Sequence, residues 1–149
     1  MPTVEKFSQA MLEKYVKARG WKYLRDGDGD FRVDFAYDDS TGCELTLWLI
    51  ADGRQKEIFY VRVASDKRIP KTDWARAMMI CNTWNKDRRW PKAYLNVRNP
   101  DTDTTATIAL EQHLDCEKGI HQELLEDFAN TIWATSISFW EWAHKEQGL

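Results

Sequence analysis

The sequence predicts an α+β fold, in which three helices cover a five-stranded antiparallel sheet in the order α-β-β-β-α-β-β-α. Two observations lead to this prediction. Apolar residues alternate with other residues in several short segments, as in half-buried strands, and they recur at helical spacing in three longer segments. Tight turns join most of the strand-like segments, which suits antiparallel neighbours because parallel strands need long crossovers. The length of 149 residues fits one domain, residues 1–149.

The opening residues predict one helix and one strand. Thr3 is suited to cap a helix that runs to about Arg19, and Gly20 provides its stop. A cluster of Asp and Gly over residues 26–30 then favours a turn. In residues 31–37, Phe, Val, Phe and Tyr alternate with Arg, Asp and Ala, which predicts a strand with one buried face.

Two further strands follow after short connections. Residues 45–50 carry leucine at every second position with Thr, Trp and Ile between, so both faces of this strand are largely apolar. Asp52 and Gly53 form a hairpin signal, and residues 58–64 complete a third strand. These three strands are therefore expected to pair antiparallel.

A second helix is predicted to open at Ile69 and Pro70, since proline suits the first helical turn, and this region ends at Pro91. Asn82 and Asn85 border its apolar face and are expected to tie the helix end to the following strand. That apolar face consists of Trp74, Ala77, Met78, Cys81 and Trp84.

The remaining chain predicts two strands and a long helix. The strands cover residues 93–97 and 108–114, with a turn over residues 99–103 between them. The last helix covers about residues 120–145, and its main apolar stripe includes Phe128.

Trp133, Ile137 and Trp140 extend this stripe to about half of the circumference of the last helix. A single helix on a sheet buries a stripe only somewhat over 100° wide. Two interpretations stay open: the first helix or the N-terminus packs on the extra residues, or a partner protein covers them. With Trp48, these three residues are the candidate protein-binding residues.

A basic and aromatic corner lies between the second helix and the next strand. Lys86, Arg88, Arg89 and Lys92 surround two tryptophans there. Cations interleaved with rings are able to hold phosphates and stack on bases. The structural alternative, which we favour, is that these cations satisfy helix-terminal carbonyls or lie over the rings. The formal charge of −3 argues against nucleic acid as a partner.

The cluster at residues 26–30 resembles the start of a calcium loop. An EF-hand loop needs glycine at its sixth position and glutamate at its twelfth, and this chain has Phe31 and Tyr37 there. We therefore expect a turn without a metal.

Histidine and cysteine side chains offer no better site. His113, Cys116 and His121 are close in sequence, but a closed zinc site needs four ligands. Cys81 lies on an apolar helix face without a visible base partner, so packing is favoured over nucleophilic chemistry. We predict no catalytic residue, no metal and no cofactor.

Cysteine usage and hydropathy suggest a location in the reducing cytoplasm. The three cysteines are Cys43, Cys81 and Cys116, an odd number at wide spacing, which argues against a secreted disulfide framework. The N-terminus lacks an apolar signal core, and no run approaches the roughly 20 apolar residues that span a bilayer. No membrane partner is expected.

The region from Cys81 to Leu95 resembles the central signature of the YbjN-domain family, whose members are described as bacterial sensory transduction regulators. The matching residues are Asn82 and Asn85, then Arg88 and Arg89, then Pro91 to Leu95. The resemblance implies a type III secretion chaperone-like fold and a regulatory role without enzymatic activity. Secretion chaperones of similar fold commonly dimerise and hold extended partner segments.

The sequence therefore favours a non-catalytic protein-binding domain, a regulator or chaperone-like adaptor. Its expected partner is another protein or a second copy of the chain in a homodimer. The alternative is a binder of nucleic acid or an anionic ligand through the corner from Trp84 to Lys92.

Overall fold

The computed structural model describes residues 3–149 and confirms an α+β fold with an antiparallel sheet and three helices. The helices are α1 (Gln9–Ala18), α2 (Trp74–Asp87), preceded by a 3₁₀ turn at Lys71–Asp73, and α3 (Gln122–Lys145). The strands are β1 (Leu24–Arg25), β2 (Phe31–Asp38), β3 (Cys43–Asp52), β4 (Ile58–Ser65), β5 (Ile69–Pro70), β6 (Lys92–Asn96) and β7 (Thr105–Asp115).

The sheet runs in the order β1-β2-β3-β4-β7, and β7 pairs beyond this with both β6 and β5. The prediction of five strands is wrong, because the sheet has seven. The two additional strands, β1 and β5, have two residues each, too few to show an alternating pattern. Without them the order of elements is the predicted α-β-β-β-α-β-β-α.

The two faces of this sheet have different surroundings. In β3 and β4 every odd-numbered residue is buried, and these side chains lie beneath the helices. Aromatic contacts join the layers: Phe59 lies 5.5 Å from Phe128 of α3 between ring centroids, and Phe35 stacks at 4.3 Å on Trp133. The even-numbered residues lie on the opposite face, which we call the open face because none of the described helices packs on it.

The N-terminal segment differs from the prediction. The helix does not start after Thr3; it begins at Gln9, and Ser8 holds the extended N-cap position. The preceding segment is extended, because Glu5 exchanges two backbone hydrogen bonds with Ile120, at 3.0 and 2.9 Å. This bridge, together with the burial of Phe7, ties the segment to the chain just before α3.

The start of the second helix is also corrected. Ile69 and Pro70 do not open a helix; they pair as β5 with the start of β7, and the α-helix begins at Trp74. Proline is tolerated there because β5 is an edge strand. Met78, predicted on the buried face, is 52% exposed, and Ile80 takes its place beside the other predicted members.

The last helix begins at Gln122, two residues later than predicted. His121 is its N-cap, and the His121 Nδ1 atom accepts a hydrogen bond from the backbone N–H of Leu124 at 3.0 Å. Among residues 3–149, no helix combines the length and the apolar character that crossing a membrane requires.

Candidate functional site

The centre of the open face is aromatic and aliphatic. We call this patch the aromatic strip; it consists of Trp48, Ile50, Ile58 and Tyr60. Strand register brings them together, since Ile50 lies opposite Tyr60 and all four occupy even positions of β3 or β4. All four side chains are half-buried, in contact with their neighbours on the sheet. The Tyr60 ring also stacks on His113 of β7, with ring centroids 4.2 Å apart.

A buried carboxylate lies beside the strip. Glu111 of β7 is only 6% exposed, and it accepts hydrogen bonds from the hydroxyl groups of Tyr60 and Tyr94. Its other oxygen lies 3.1 Å from the ammonium group of Lys92. The register explains this cluster, because Lys92 is directly opposite Glu111 and the tyrosines come from the strands on either side.

These contacts set the charge states at the strip. Burial by itself raises the pKa of Glu111, but the hydrogen bonds from Tyr60 and Lys92 outweigh it, so the pKa is lowered below the ordinary value of 4.5. Burial and the hydrogen bond to Glu111 both raise the pKa of Tyr60. At neutral pH the glutamate is therefore ionised and the tyrosine keeps its proton, which it donates to the carboxylate.

The opposite border of the strip is also internally paired. Arg32 Nε lies 2.9 Å from Asp34, and the Thr46 hydroxyl donates to the same carboxylate at 3.0 Å. The Arg32 guanidinium lies over the Trp48 ring, 5.6 Å from its centroid. The strip therefore presents apolar surface between two borders whose charges already have partners, an arrangement suited to apolar contact. Arg62, directly opposite Trp48 in β4, is the cation beside the strip that has no carboxylate partner among the described residues.

Only part of the predicted shoulder of α3 is accessible. Trp140 is 0% exposed and belongs to the core, which corrects the expectation that it contacts a partner. Trp133 is 7% exposed, because Phe35 and Trp21 pack on its ring. Trp133 and Ile137 line a groove of about 300 Å³ between α3 and the β2–β3 hairpin. Core packing therefore buries both tryptophans, and the rings against Trp133 belong to β2 and to the segment after α1, whereas the prediction named the first helix or the N-terminus.

The basic corner is divided. Lys86, Arg88 and Arg89 line a cavity of about 550 Å³ together with the exposed Trp90 and two hydroxyl side chains of α3. Lys92 is not part of it, because it lies on the open face beside Glu111.

Trp84 is buried and donates its indole N–H to the carbonyl of Pro91 at 3.0 Å. The Arg88 guanidinium lies 5.3 Å from the centroid of the Trp84 ring. Arg88 therefore lies over a tryptophan ring, as the structural alternative predicts.

Asn85 makes the link that was expected of it. Its side-chain amide donates to the carbonyl of Ala93 and accepts from the N–H of the same residue, both at 2.9 Å. The amide therefore occupies the edge of β6 as a neighbouring strand would. Asn82, which was expected to share this role, is exposed and makes no side-chain hydrogen bond within residues 3–149.

The carboxylates of Asp26, Asp28 and Asp30 come within 4.8 Å of one another. Their oxygens hold the turn: Asp26 accepts from the N–H groups of Asp28 and Asp30, both at 2.9 Å. Asp30 accepts from the N–H of Ala51 at 3.0 Å. The predicted turn is confirmed, and these hydrogen bonds give the carboxylates of Asp26 and Asp30 a structural role.

The histidine and cysteine residues considered as metal ligands have different structural roles. His113 stacks on Tyr60, His121 caps α3, and Cys116 is buried. Cys81 is buried as predicted, and burial raises the pKa of its thiol to about 11, so it stays protonated at neutral pH.

Fold and site together define an α+β domain with one helix-covered face and one open, aromatic face. The family model for YbjN, described as "Putative bacterial sensory transduction regulator", matches residues 8–144, and the chain belongs to this family. The crystal structure of YbjN from E. coli, titled "a putative transcription regulator", has the same fold, with a TM-score of 0.73. The two share 12% sequence identity over 97% of each chain. No curated protein sequence matches significantly.

The sequence did not indicate the cluster around Glu111. One signal was available: a glutamate ends the apolar run of residues 108–110 in β7, directly after the buried Leu110. Its partners lie on two other strands, so only the register shows that Tyr60, Tyr94 and Lys92 converge on it.

Proposed function

We propose that this protein is a non-catalytic regulatory adaptor that binds another polypeptide through the aromatic strip. The observation that carries the proposal is the uncovered strip itself, on a sheet whose other face lies beneath the helices. Membership in a family described as sensory transduction regulators supports a regulatory role. A chaperone-like way of holding an extended partner segment fits an open sheet face, and the three unpaired cysteines fit a cytoplasmic location.

The dimensions of the face favour a transient complex. Strands lie about 4.8 Å apart and rise about 3.4 Å per residue, so the five longer strands present a face about 20 Å wide and about 30 Å long. That area, about 600 Å² on this side, is below the roughly 800 Å² per partner of a standard interface. Such an interface suits a reversible regulatory contact.

The paired charges define the chemistry of the partner. Arg32 and Lys92 are already bound to Asp34 and Glu111, so a partner gains little from adding charges there. It gains most by covering the strip with aliphatic or aromatic side chains. Binding should therefore depend weakly on salt and show a negative heat-capacity change.

The test compares two tryptophans. Trp48→Ala removes the largest ring of the strip, and Trp90→Ala removes an exposed ring from the basic corner as the matched control. Wild type and both variants are used to capture proteins from cells of the source bacterium. Calorimetry then measures the affinity for the purified partner. We expect a loss of about tenfold or more for Trp48→Ala, the size of an interface hot spot, and a change within about twofold for the control.

Two results would contradict the proposal. One is an unchanged affinity of Trp48→Ala for the captured partner. The other is a wild-type dimer in sedimentation that Trp48→Ala converts to a monomer, because a second copy would then occupy the strip.

A second candidate function rests on the cavity that Lys86, Arg88 and Arg89 share with Trp90. This corner would bind an anionic ligand or single-stranded nucleic acid, with an affinity that falls steeply with salt. Titration of single-stranded RNA at low salt tests it, with Lys86→Gln plus Arg89→Gln as the variant. Equal RNA binding by variant and wild type would exclude this corner.

A further inference from the structure

A polar cavity of about 490 Å³ lies at one end of the open face, where the ends of β4 and β6 meet the beginning of β7. Three arginines from separate segments line it: Arg62 in β4, Arg68 just before β5, and Arg98 just after β6. We call it the arginine pocket. Asn96 and four threonines between residues 102 and 107 complete most of its wall.

The charge in this pocket is not compensated. Within residues 3–149, no carboxylate lies within 4 Å of the side-chain nitrogens of Arg62, Arg68 or Arg98, in contrast to Arg32 and Lys92. One carboxylate, that of Asp103, lines the pocket. It accepts hydrogen bonds from the backbone N–H groups of Arg98 and Asn99, both at 3.0 Å. Three cations and one anion leave an excess of two positive charges.

One of the arginines shows a second, independent sign of a missing partner. The Nε atom of Arg62 is buried and has no hydrogen-bond acceptor among the described residues. A buried donor of a charged group without an acceptor is costly, so such groups are normally paired in folded proteins. Arg62 also lines the pocket, so a small shift of its side chain would bring this donor to an oxyanion bound there.

We infer that the arginine pocket binds a small molecule that carries a phosphate group. Guanidinium groups match phosphate oxygens with paired N–H donors, and a phosphate monoester carries nearly two negative charges at neutral pH, equal to the excess. The threonine hydroxyls add neutral donors. The volume lies within the range of small-molecule sites and exceeds what a phosphate group alone would fill, so the remainder of the molecule fits beside it.

A nucleic acid is a poorer match, because a polyanion needs an extended track of cations along its backbone. The cations of the basic corner line a different cavity. This inference does not depend on the proposed protein-binding function, since none of the four strip residues lines the arginine pocket.

The experiment uses calorimetry with inorganic phosphate and with glucose 6-phosphate, and uncharged glucose is the control ligand. The variant is Arg68→Gln plus Arg98→Gln, because both side chains are exposed and their replacement should leave the fold intact. The matched control is Lys22→Gln plus Lys118→Gln, which removes the same charge from two exposed positions that line neither the arginine pocket nor the basic corner. We expect the arginine-pocket variant to lose about tenfold or more in affinity for both phosphates, as for lost charge-assisted hydrogen bonds, and the control to stay within about twofold.

Two further measurements locate the site. Phosphate should shift the backbone amide resonances of residues 102–107 in a two-dimensional NMR spectrum. Arg62→Met should weaken phosphate binding without lowering the melting temperature, since it removes a buried donor that has no partner in the protein.

Several outcomes would overturn the inference: no binding of either phosphate to the wild type, or equal binding by the arginine-pocket variant. Shifts confined to the basic corner would also do so. Tighter binding of citrate than of glucose 6-phosphate would replace phosphate by carboxylate as the ligand class. Binding of single-stranded RNA without binding of either phosphate would contradict a small-molecule site.

Discussion

The two faces of the sheet are built from the same strands but differ in how far helices cover them. In β3, Leu47 and Leu49 are 0% exposed beneath the helices, whereas Trp48 and Ile50 between them are half-buried on the open face. Both sets are apolar, so residue type does not distinguish them. Coverage by helices makes one face the core, and its absence leaves the other face partly accessible.

The first and largest test of this comparison is Trp140→Ala on the covered side. Trp140 is fully buried against Phe139, with ring centroids 5.3 Å apart, so its removal leaves a large cavity. We expect a loss of about 3–5 kcal/mol in the free energy of unfolding, measured by urea denaturation.

Trp140→Phe is the control for ring volume. The indole N–H of Trp140 has no hydrogen-bond partner among the described residues, so phenylalanine loses packing but no hydrogen bond. It should cost clearly less than alanine. A cost below about 1 kcal/mol for Trp140→Ala would place this residue outside the core, contrary to the comparison.

The second test concerns the edge of the sheet. Asn85→Ala removes both hydrogen bonds to Ala93 and leaves the backbone N–H and carbonyl of that residue unpaired. We expect a loss of about 1–3 kcal/mol in the free energy of unfolding.

Asn82→Ala is the matched control, since Asn82 is exposed and makes no side-chain hydrogen bond within residues 3–149. It should change stability by less than about 0.5 kcal/mol. Equal effects of the two alanine variants would show that the link at the edge of β6 contributes nothing.

The third test uses pH to examine the buried charge of the open face. Because the pKa of Glu111 is lowered in the folded state, its contribution is present above the unfolded-state pKa and is lost as pH falls through the folded-state pKa. Wild-type stability should therefore fall more steeply below pH 4.5, the ordinary value, than that of Glu111→Gln.

At pH 7, Glu111→Gln should cost about 1–2 kcal/mol, since it weakens hydrogen bonds to an ionised group. Urea denaturation at pH 7 and at about pH 3.5 provides both comparisons. Parallel pH profiles for the two proteins would mean that Tyr60 and Lys92 do not stabilise the ionised carboxylate.

Apart from the control Asn82→Ala, the smallest expected effect on stability is that of Trp48→Ala on the open face. Trp48 is half-buried and lies beneath no helix, so its removal opens no closed cavity. We expect a change of about 1 kcal/mol or less in the free energy of unfolding, well below that of Trp140→Ala. A loss as large as that of Trp140→Ala would mean that the two faces do not differ as described.

Much of the fold could be predicted because the relevant interactions are local. Alternating side chains identified β2, β3 and β4, and Asn85 was correctly placed between helix and strand. The segments that were missed depend on distant partners. β5 exists because it pairs with the start of β7, and Glu5 is extended because it pairs with Ile120.

The candidate sites were harder to predict than the fold. Trp133 and Trp140 are of the residue type that commonly anchors protein interfaces. In this structure, however, Phe35 packs against Trp133 and Phe139 packs against Trp140. The carboxylate of Glu111 acquires its three partners through the register of neighbouring strands. A helical period shows which residues share a side, but not what lies against that side.

By itself, the sequence determined the succession of the three helices and the five longer strands, because period and turn residues act over a few positions along the chain. The tertiary structure decided which apolar face is covered, which charges find partners, and that Arg62, Arg68 and Arg98 line one cavity. These properties depend on distances between segments far apart in sequence, and strand register and helix placement set those distances.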